Sequence, residues 1–415
     1  MRQVIEEPIV ITGIGMITSV GNSREESWQA IQAGTSDVSR LTGLPGIPDN
    51  LLIGAVVRDL PSDQRMKVFE ICERAAAEAI ADARLDFTNL DPERFGCSLS
   101  AHMGDTSWLH RKSRSQSLYD TPWWKQWFPN SSCTEIAQKY NLLGPRLSHS
   151  TACASSLVSI LAAVRSIRNR QCDIALAGGG DAIDPLVAAG FNQMRVLAKH
   201  DDPNQASRPF DRNRNGFVLG EGGAILVVER LGHALRRGAR IYAEIAAGKM
   251  LSEAHHVTGL DSESDALSHL ISITLEDAGL APADVGYINA HGTGTDQNDR
   301  FESRAIRSAL GPAANDVCVS SSKSMLGHMI NAAGGAELAI TALALRDGIA
   351  PPTRNLTDPD PECTLDCVPH VGRVNRFQNA LKISVAFGGH LVAVALRRWN
   401  DAATGFQYPA QRKAA

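Results

Sequence analysis

Ser148-His149-Ser150-Thr151-Ala152-Cys153-Ala154-Ser155-Ser156 sets one cysteine among small residues at the head of a long amphipathic run. Apolar residues follow at Leu157, Ile160, Leu161, Val164 and Ile167, which is helical spacing. Arg168 and Arg170 end the run, and cations suit a helix C-terminus. Cys153 then stands at the helix N-terminus, where unpaired N–H groups and the dipole favour a thiolate. Small neighbours leave room for a substrate carbonyl. Two readings stay open on this stretch alone: a nucleophile, or an inert cysteine buried at a strand-helix junction.

Working outward, Ile9-Val10-Ile11-Thr12-Gly13-Ile14-Gly15 reads as a buried strand entering a glycine turn. Gly13-x-Gly15 lacks the third glycine and the following acid of a dinucleotide fingerprint. Residues 63–84, beginning Asp63-Gln64-Arg65, form an amphipathic helix. Trp108, Trp123, Trp124 and Trp127 cluster with Arg111, Lys112, Arg114 and Lys125. A packed loop with a solvated rim is favoured there over a binding surface. Asp173 to Ala177 is a short strand running into Gly178-Gly179-Gly180, and loop punctuation precedes the strand Ala224–Val228.

The second half begins near Ala243. Helix 263–278 leads to a strand, Val285 to Ala290, that ends at His291 and Gly292-Thr293-Gly294-Thr295. Ser320 to Ser324 lead to Gly327-His328 and the helix of Ala332–Leu345. Leu381–Ala386 is a last strand before Phe387-Gly388-Gly389-His390. Each half offers a strand, a turn carrying a reactive side chain, and a helix. That predicts α/β layers with a core sheet in each half.

Bulk properties narrow the function classes. A chain of 415 residues exceeds what one core holds. Net charge is −4, which gives no reason to expect a nucleic-acid partner. Nothing approaches 18 consecutive apolar residues, so no membrane span is expected. Met1 to Pro8 carries Glu6 and Glu7 and does not read as a signal peptide. Eight scattered cysteines fit a reducing, cytoplasmic setting. Cys363, Cys367 and His370 have no second ligand pair nearby, so no metal site is expected from them. Residues 402–415 read as a loose tail.

Cys153, His291 and His328 each stand at a strand end or helix start among glycines or small residues. A cysteine and two histidines in that setting point to acyl transfer at a thiol. Five motifs sharpen this: Thr151-Ala152-Cys153-Ala154-Ser155, Arg208-Pro209-Phe210-Asp211, Asn289-Ala290-His291-Gly292-Thr293-Gly294-Thr295, Lys323-Ser324-Met325-Leu326-Gly327-His328 and Pro351-Pro352-Thr353-Arg354-Asn355-Leu356. Through them the chain resembles the β-ketoacyl-acyl carrier protein synthases of the elongating (I/II) type, in the thiolase superfamily, from about Ile9 to Arg397.

The resemblance implies a five-layered αβαβα thiolase-like fold of two similar halves, residues 1–242 and 243–401. It implies decarboxylating Claisen condensation of a Cys-bound acyl chain with a malonyl group on acyl carrier protein, giving a 3-oxoacyl product. Cys153 is then the nucleophile, and the N–H groups of Cys153 and Phe387 form the oxyanion hole. His291 and His328 promote decarboxylation as neutral imidazoles. Lys323 and Glu337 are supporting charges, and Thr293 and Thr295 hold the phosphopantetheine arm. No cofactor is implied. The partners are acyl carrier protein and a second chain, usually in a homodimer, with a heterodimer as the other arrangement. The alternative is a non-catalytic, chain-length-factor-like subunit, against which Cys153, His291, His328 and Lys323 count. A thiolase would want a second cysteine late in the chain, where position 390 is histidine.

Departures from the family bear on the substrate. The last loop, usually Asn-Ser-Phe-Gly-Phe-Gly-Gly, reads Ile383-Ser384-Val385-Ala386-Phe387-Gly388-Gly389. Val385 in place of an aromatic opens space for a bulkier or stiffer acyl chain. His102-Met103-Gly104-Asp105 replaces a common Gly-Ile-Gly-Gly. Fatty-acid elongation is the default and a polyene or polyketide-like product the specialised option. In the family a cation is often held near the site; Asn289 and Glu337 match, but Lys382 and Ile383 bring no oxygen side chain. The Lys382 ammonium is expected to take the metal's place and pair with Glu337. Arg65, Lys67 and Lys125 are candidate docking cations for an acidic carrier.

Overall fold

The computed structural model describes residues 7–60, 65–101, 105–115, 117–120 and 122–400. The leader residues before Glu7, Asp63-Gln64, His102-Met103-Gly104 and the tail 402–415 lie outside the described residues. Ten strands make one continuous sheet: β1 (Ile9–Thr18), β2 (Phe95–Ala101), β3 (Arg146–Leu147), β4 (Ile174–Asp181), β5 (Gly222–Arg230), β6 (Ala243–Ser252), β7 (Val285–Asn289), β8 (Cys318–Ser320), β9 (Asn379–Ala386) and β10 (His390–Arg398). Their spatial order is β8-β7-β9-β10-β6-β1-β5-β4-β2-β3.

That order contains a repeat. Counted from the shared middle, the first five strands run first, fifth, fourth, second, third, and so do the last five. The senses repeat too: two antiparallel pairings, then two parallel ones. The halves join where Ile9–Ile11 pairs with Ala243–Ile245. Five helices matter for the site: α1 (Lys67–Asp82), α2 (Ser155–Arg168), α3 (Ala266–Asp277), α4 (Asp296–Leu310) and α5 (Ile330–Asp347).

Helices α2 and α5 are buried on nearly every side, as helices of a central layer must be. One apolar core joins them to inward residues of both half-sheets, such as Ile11, Leu226, Val392 and Val394. A second core packs α1 on the outer face of the first half-sheet, and a third packs α3 and α4 outside the second. The layers therefore run αβαβα. Gly334 and Gly335 let α5 approach α2: a Cβ there would lie 2.8 Å from Leu157 Cβ and 3.0 Å from Ser156 Cβ. The helical penalty of a mid-helix glycine, about 0.5–1 kcal/mol, is accepted for that contact.

Several strands outrun their expected ends. β1 passes through Gly13 and Gly15 to Thr18, and β4 through its three glycines to Asp181. These glycines make room rather than turns. A Cβ at Gly15 would sit 1.9 Å from the Ala75 carbonyl of α1, and one at Gly179 2.2 Å from the Ser100 carbonyl of β2. In the tryptophan-rich stretch, Trp108 is buried in the outer core with Trp123 and Trp127 at its edge. Trp124 is exposed, with Lys125 over its ring.

Candidate active site

Cys153 and His328 occupy equivalent points of the repeat. Each follows the third strand of its half and stands two residues before its central helix. The turn before α2 is strained: Ala152 has φ +47, a left-handed conformation uncommon for a residue with a Cβ. Ser155 Oγ closes the turn, accepting the Thr151 N–H at 2.8 Å and lying 2.7 Å from the Ala152 carbonyl. Cys153 is thereby presented to the cavity at the head of α2.

His291, Lys323 and Phe387 follow the C-terminal ends of three neighbouring parallel strands, β7, β8 and β9, paired at Asn289, Ser320 and Lys382. Cys153 Sγ and a ring nitrogen of each of His291 and His328 lie within 4.8 Å of one another. The two imidazoles meet edge to face, centroids 5.4 Å apart at 83°. They border a cavity of about 490 Å³, also lined by Phe191, Phe217, Thr293, Thr295, Val385 and Phe387. Aromatic contacts continue round it, from His328 to Phe217, Phe191 and Phe387. The structure thus brings together Cys153, His291, His328, Thr293, Thr295 and Phe387, with Lys323 and Glu337 behind them. Thr293 and Thr295 share a hydroxyl hydrogen bond of 2.9 Å. Phe387 precedes Gly388 and Gly389, both at positive φ, which is hinge geometry open to glycine.

The electrostatics separate the thiol from the imidazoles. Burial pushes the Cys153 thiol up to about 12, against the pull of the Lys323 ammonium and of the N–H groups of Phe387 and Cys153. The helix terminus favours the thiolate, as its position in the sequence implies, but desolvation of a side chain only 7% exposed outweighs that pull. The rate of Cys153 alkylation by iodoacetamide should therefore rise about tenfold per pH unit from pH 7 to 9, following the thiolate fraction of a group far below its midpoint. A plateau in that range, read by intact mass, would show a thiolate already formed.

Burial, with Lys323 as the next cause, holds both imidazoles well below the usual histidine range, so they are neutral. Lys323 Nζ donates to the His291 carbonyl at 2.6 Å and lies 3.4 Å from His291 Nδ1. An ammonium can only donate. Nδ1 is thus assigned as acceptor, and Nε2 carries the proton. Neither ring nitrogen of His328 has a partner among the described residues. Lys323 also donates to Glu337 Oε1, while Lys382 Nζ stands 2.8 Å from Glu337 Oε2, an ion pair rather than an aligned hydrogen bond. The expected Lys382–Glu337 pairing is present.

Two acids escaped the sequence reading. On α4, Glu302 accepts the N–H groups of His291 and Gly292 at 2.6 and 2.8 Å. Asp299 accepts those of Phe210 and Gly294 at 2.7 and 3.2 Å. Burial raises Glu302 to about 7. The signal was available: two acids three apart on the buried face of a helix need partners. Of the candidate docking cations, Arg65 is held by Glu70, Glu73 and Glu135, and Lys67 by Glu221. Both are thus committed within the chain. Arg195, exposed on the cavity rim, forms no ion pair among the described residues. Cys363 and Cys367 are buried and His370 is exposed, and they form no ligand cluster.

Comparisons with known proteins identify the family. Residues 62–234 match the beta-ketoacyl synthase N-terminal domain and residues 242–357 the C-terminal domain. A 3-oxoacyl-[acyl-carrier-protein] synthase 2 of Coxiella burnetii is 38% identical over 95% of this chain and 99% of that protein. The tetracenomycin polyketide synthase ketoacyl synthase alpha subunit of Streptomyces glaucescens is 37% identical over 96% of this chain and 99% of its own length. Among solved structures, a type II polyketide acyl-carrier protein in complex with its ketosynthase, bound to a hexaketide, superposes with a TM-score of 0.88 at 31% identity, covering 95% of this chain and all of that one. The ishigamide ketosynthase/chain length factor superposes at 0.85 with 30% identity, covering 95% and 100%. The chain belongs to the β-ketoacyl synthase family, in the thiolase superfamily.

Proposed function

We propose that this chain is a 3-oxoacyl-acyl carrier protein synthase that extends a Cys153-bound acyl chain with a malonyl unit. The observation that carries the reading is the convergence of a thiol, two neutral imidazoles and two facing N–H groups on one cavity. In the first step Cys153 Sγ attacks an acyl thioester. Its proton ends on the departing phosphopantetheine sulfur, and His328, whose nitrogens have no partner among the described residues, stands beside Cys153 to relay it. The malonyl carboxylate then leaves as CO2, and its C–C electron pair becomes the enolate. The Nε2–H of His291 and an N–H of His328 donate to the enolate oxygen. The carbanion attacks the Cys153 thioester, whose oxyanion accepts from the Cys153 and Phe387 N–H groups. Collapse expels the Cys153 thiolate, which takes up a proton from solvent, one proton being consumed for each CO2 released. The electron pair comes from the substrate itself, so the step asks for no cofactor.

Lys323 supports the His291 tautomer, and Glu337 holds Lys323. Thr293 and Thr295 receive the phosphopantetheine arm, and Arg195 on the rim meets an acidic carrier. The repeated strand order supports dividing the chain into halves 1–242 and 243–401. A second chain, a copy or a related ketosynthase subunit, would cover the open edge at β3, beside exposed Phe128 and Trp124. No helix among the described residues is long and apolar enough to cross a membrane, and we place the activity in the cytoplasm. Substrate breadth follows the cavity: Val385 lines it and leaves room for stiff polyene or polyketide-like chains as well as fatty acyl chains. Incubation with acyl and malonyl carriers should release CO2 and form 3-oxoacyl carrier, read by mass. Acyl transfer without any condensed product across short, long and unsaturated chains would instead favour the chain-length-factor-like reading.

A further inference from the structure

The family resemblance implies a bound cation beside the site, and the residues present do not fit one. Lys382 is wholly buried. Its ammonium lies 2.8 Å from Glu337 Oε2 and 3.3 Å from the Ala290 carbonyl, and donates to the Ile383 carbonyl. Those oxygens are the ones a cation would need. The side chain of Ile383 turns away into the outer core, so it brings no ligand. Asn289 Oδ1 is buried without a partner, but one amide oxygen beside an ammonium is not a coordination shell. Two ammoniums, Lys323 and Lys382, already share Glu337, and Glu302, raised to about 7, faces Lys382 with only part of a second negative charge. An added cation would meet the Lys382 ammonium in a site with little dielectric screening.

We propose that Lys382 is a built-in cation that does the positioning work of a bound metal. Its ammonium fixes one oxygen of Glu337 and leaves the other to Lys323. Lys323 then stays on His291 Nδ1 and keeps the Nε2 proton pointed into the cavity. Lys382 touches no reacting atom, so it is a positioning residue. The inference rests on the proposed role of His291, and the test separates the two.

Wild-type protein dialysed against chelator in a tetraalkylammonium buffer should carry less than stoichiometric sodium, potassium or magnesium by elemental analysis. Its melting temperature and its CO2 release from malonyl carrier should not respond to those ions. Lys382→Met should lower CO2 release about 10–100-fold, the scale of losing a residue that orients a site group. Added salts should not restore it, and acylation of Cys153 should persist. Lys382→Ser opens the space and adds a hydroxyl. That variant should gain melting temperature and CO2 release when sodium or potassium is added. A stoichiometric cation in the wild type, wild-type activity that needs added cation, or a Lys382→Met protein with unchanged CO2 release would each overturn the proposal. Metal content and melting are read without turnover. They therefore decide this inference even if the wild type released no CO2, a result that would count against the proposed function instead.

Discussion

Cys153→Ala protein, incubated with an acyl carrier thioester and weighed intact, should gain no acyl mass where the wild type gains one acyl group. Condensation should fall to background with it. The elbow explains why no neighbour substitutes. With Ala152 at φ +47, Cys153 is the residue of this loop that lines the cavity beside the imidazoles. The seven other cysteines are buried elsewhere. The fold should survive, because the change deletes a single buried heavy atom, worth about 1 kcal/mol on the scale of a methylene. Decarboxylation should survive too, since Lys323 keeps the His291 carbonyl and Glu337 as acceptors and the His328 ring stays against Phe217. The same protein is thereby its own control: CO2 release without acylation separates the two half-reactions. An adduct of unchanged yield on Cys153→Ala would remove the nucleophile assignment.

What could be read from the sequence is what depends on near neighbours. The apolar spacing from Leu157 to Ile167 marked α2, and the small residues around Cys153 marked its head. The glycine-flanked histidines marked strand ends that the sheet brings together. What stayed hidden depends on residues far along the chain. Lys67 reads as a candidate docking cation because Glu221, which holds it, lies 154 residues away, and Arg65 does so although two of its three acids, Glu70 and Glu73, are near in sequence. Gly13 and Gly15 read as a turn, and the strand before Gly178 reads as too short, because the backbones that these glycines and Gly179 admit belong to other elements. The pull of a helix terminus on Cys153 is visible in sequence, whereas the burial that outweighs it is not. Lys382 is the contrary case: a charge between apolar residues in a buried strand had to find an acid, and Glu337 was the one at hand.

His291→Ala and His328→Ala should each slow CO2 release from malonyl carrier by about 10²–10³-fold, roughly 3–4 kcal/mol, the loss of one donor aimed at developing charge. In the proposed step both imidazoles donate to the enolate oxygen, and their edge-to-face contact at 5.4 Å sets them side by side on the cavity. The double variant should therefore lose less than the sum of the two, as coupled donors do. Neither single change should unfold the protein. Lys323 keeps the backbone carbonyl of residue 291 and Glu337 as acceptors, and His328 leaves no partner unsatisfied because its nitrogens have none among the described residues. Acylation of Cys153 should drop far less than CO2 release in His291→Ala, since the oxyanion donors are backbone groups. The pH profile carries a further check. Both folded-state midpoints lie well below the ordinary value near 6.5. Lowering the pH charges an imidazole only below its own midpoint, so CO2 release should not fall between pH 8 and 6.5 on their account. Equal CO2 release by wild type and both single variants would strip the histidines of the role. A wild-type decline centred near 6.5 that persists in Glu302→Gln would show that the imidazoles titrate as exposed ones do, and that the cavity does not hold them neutral.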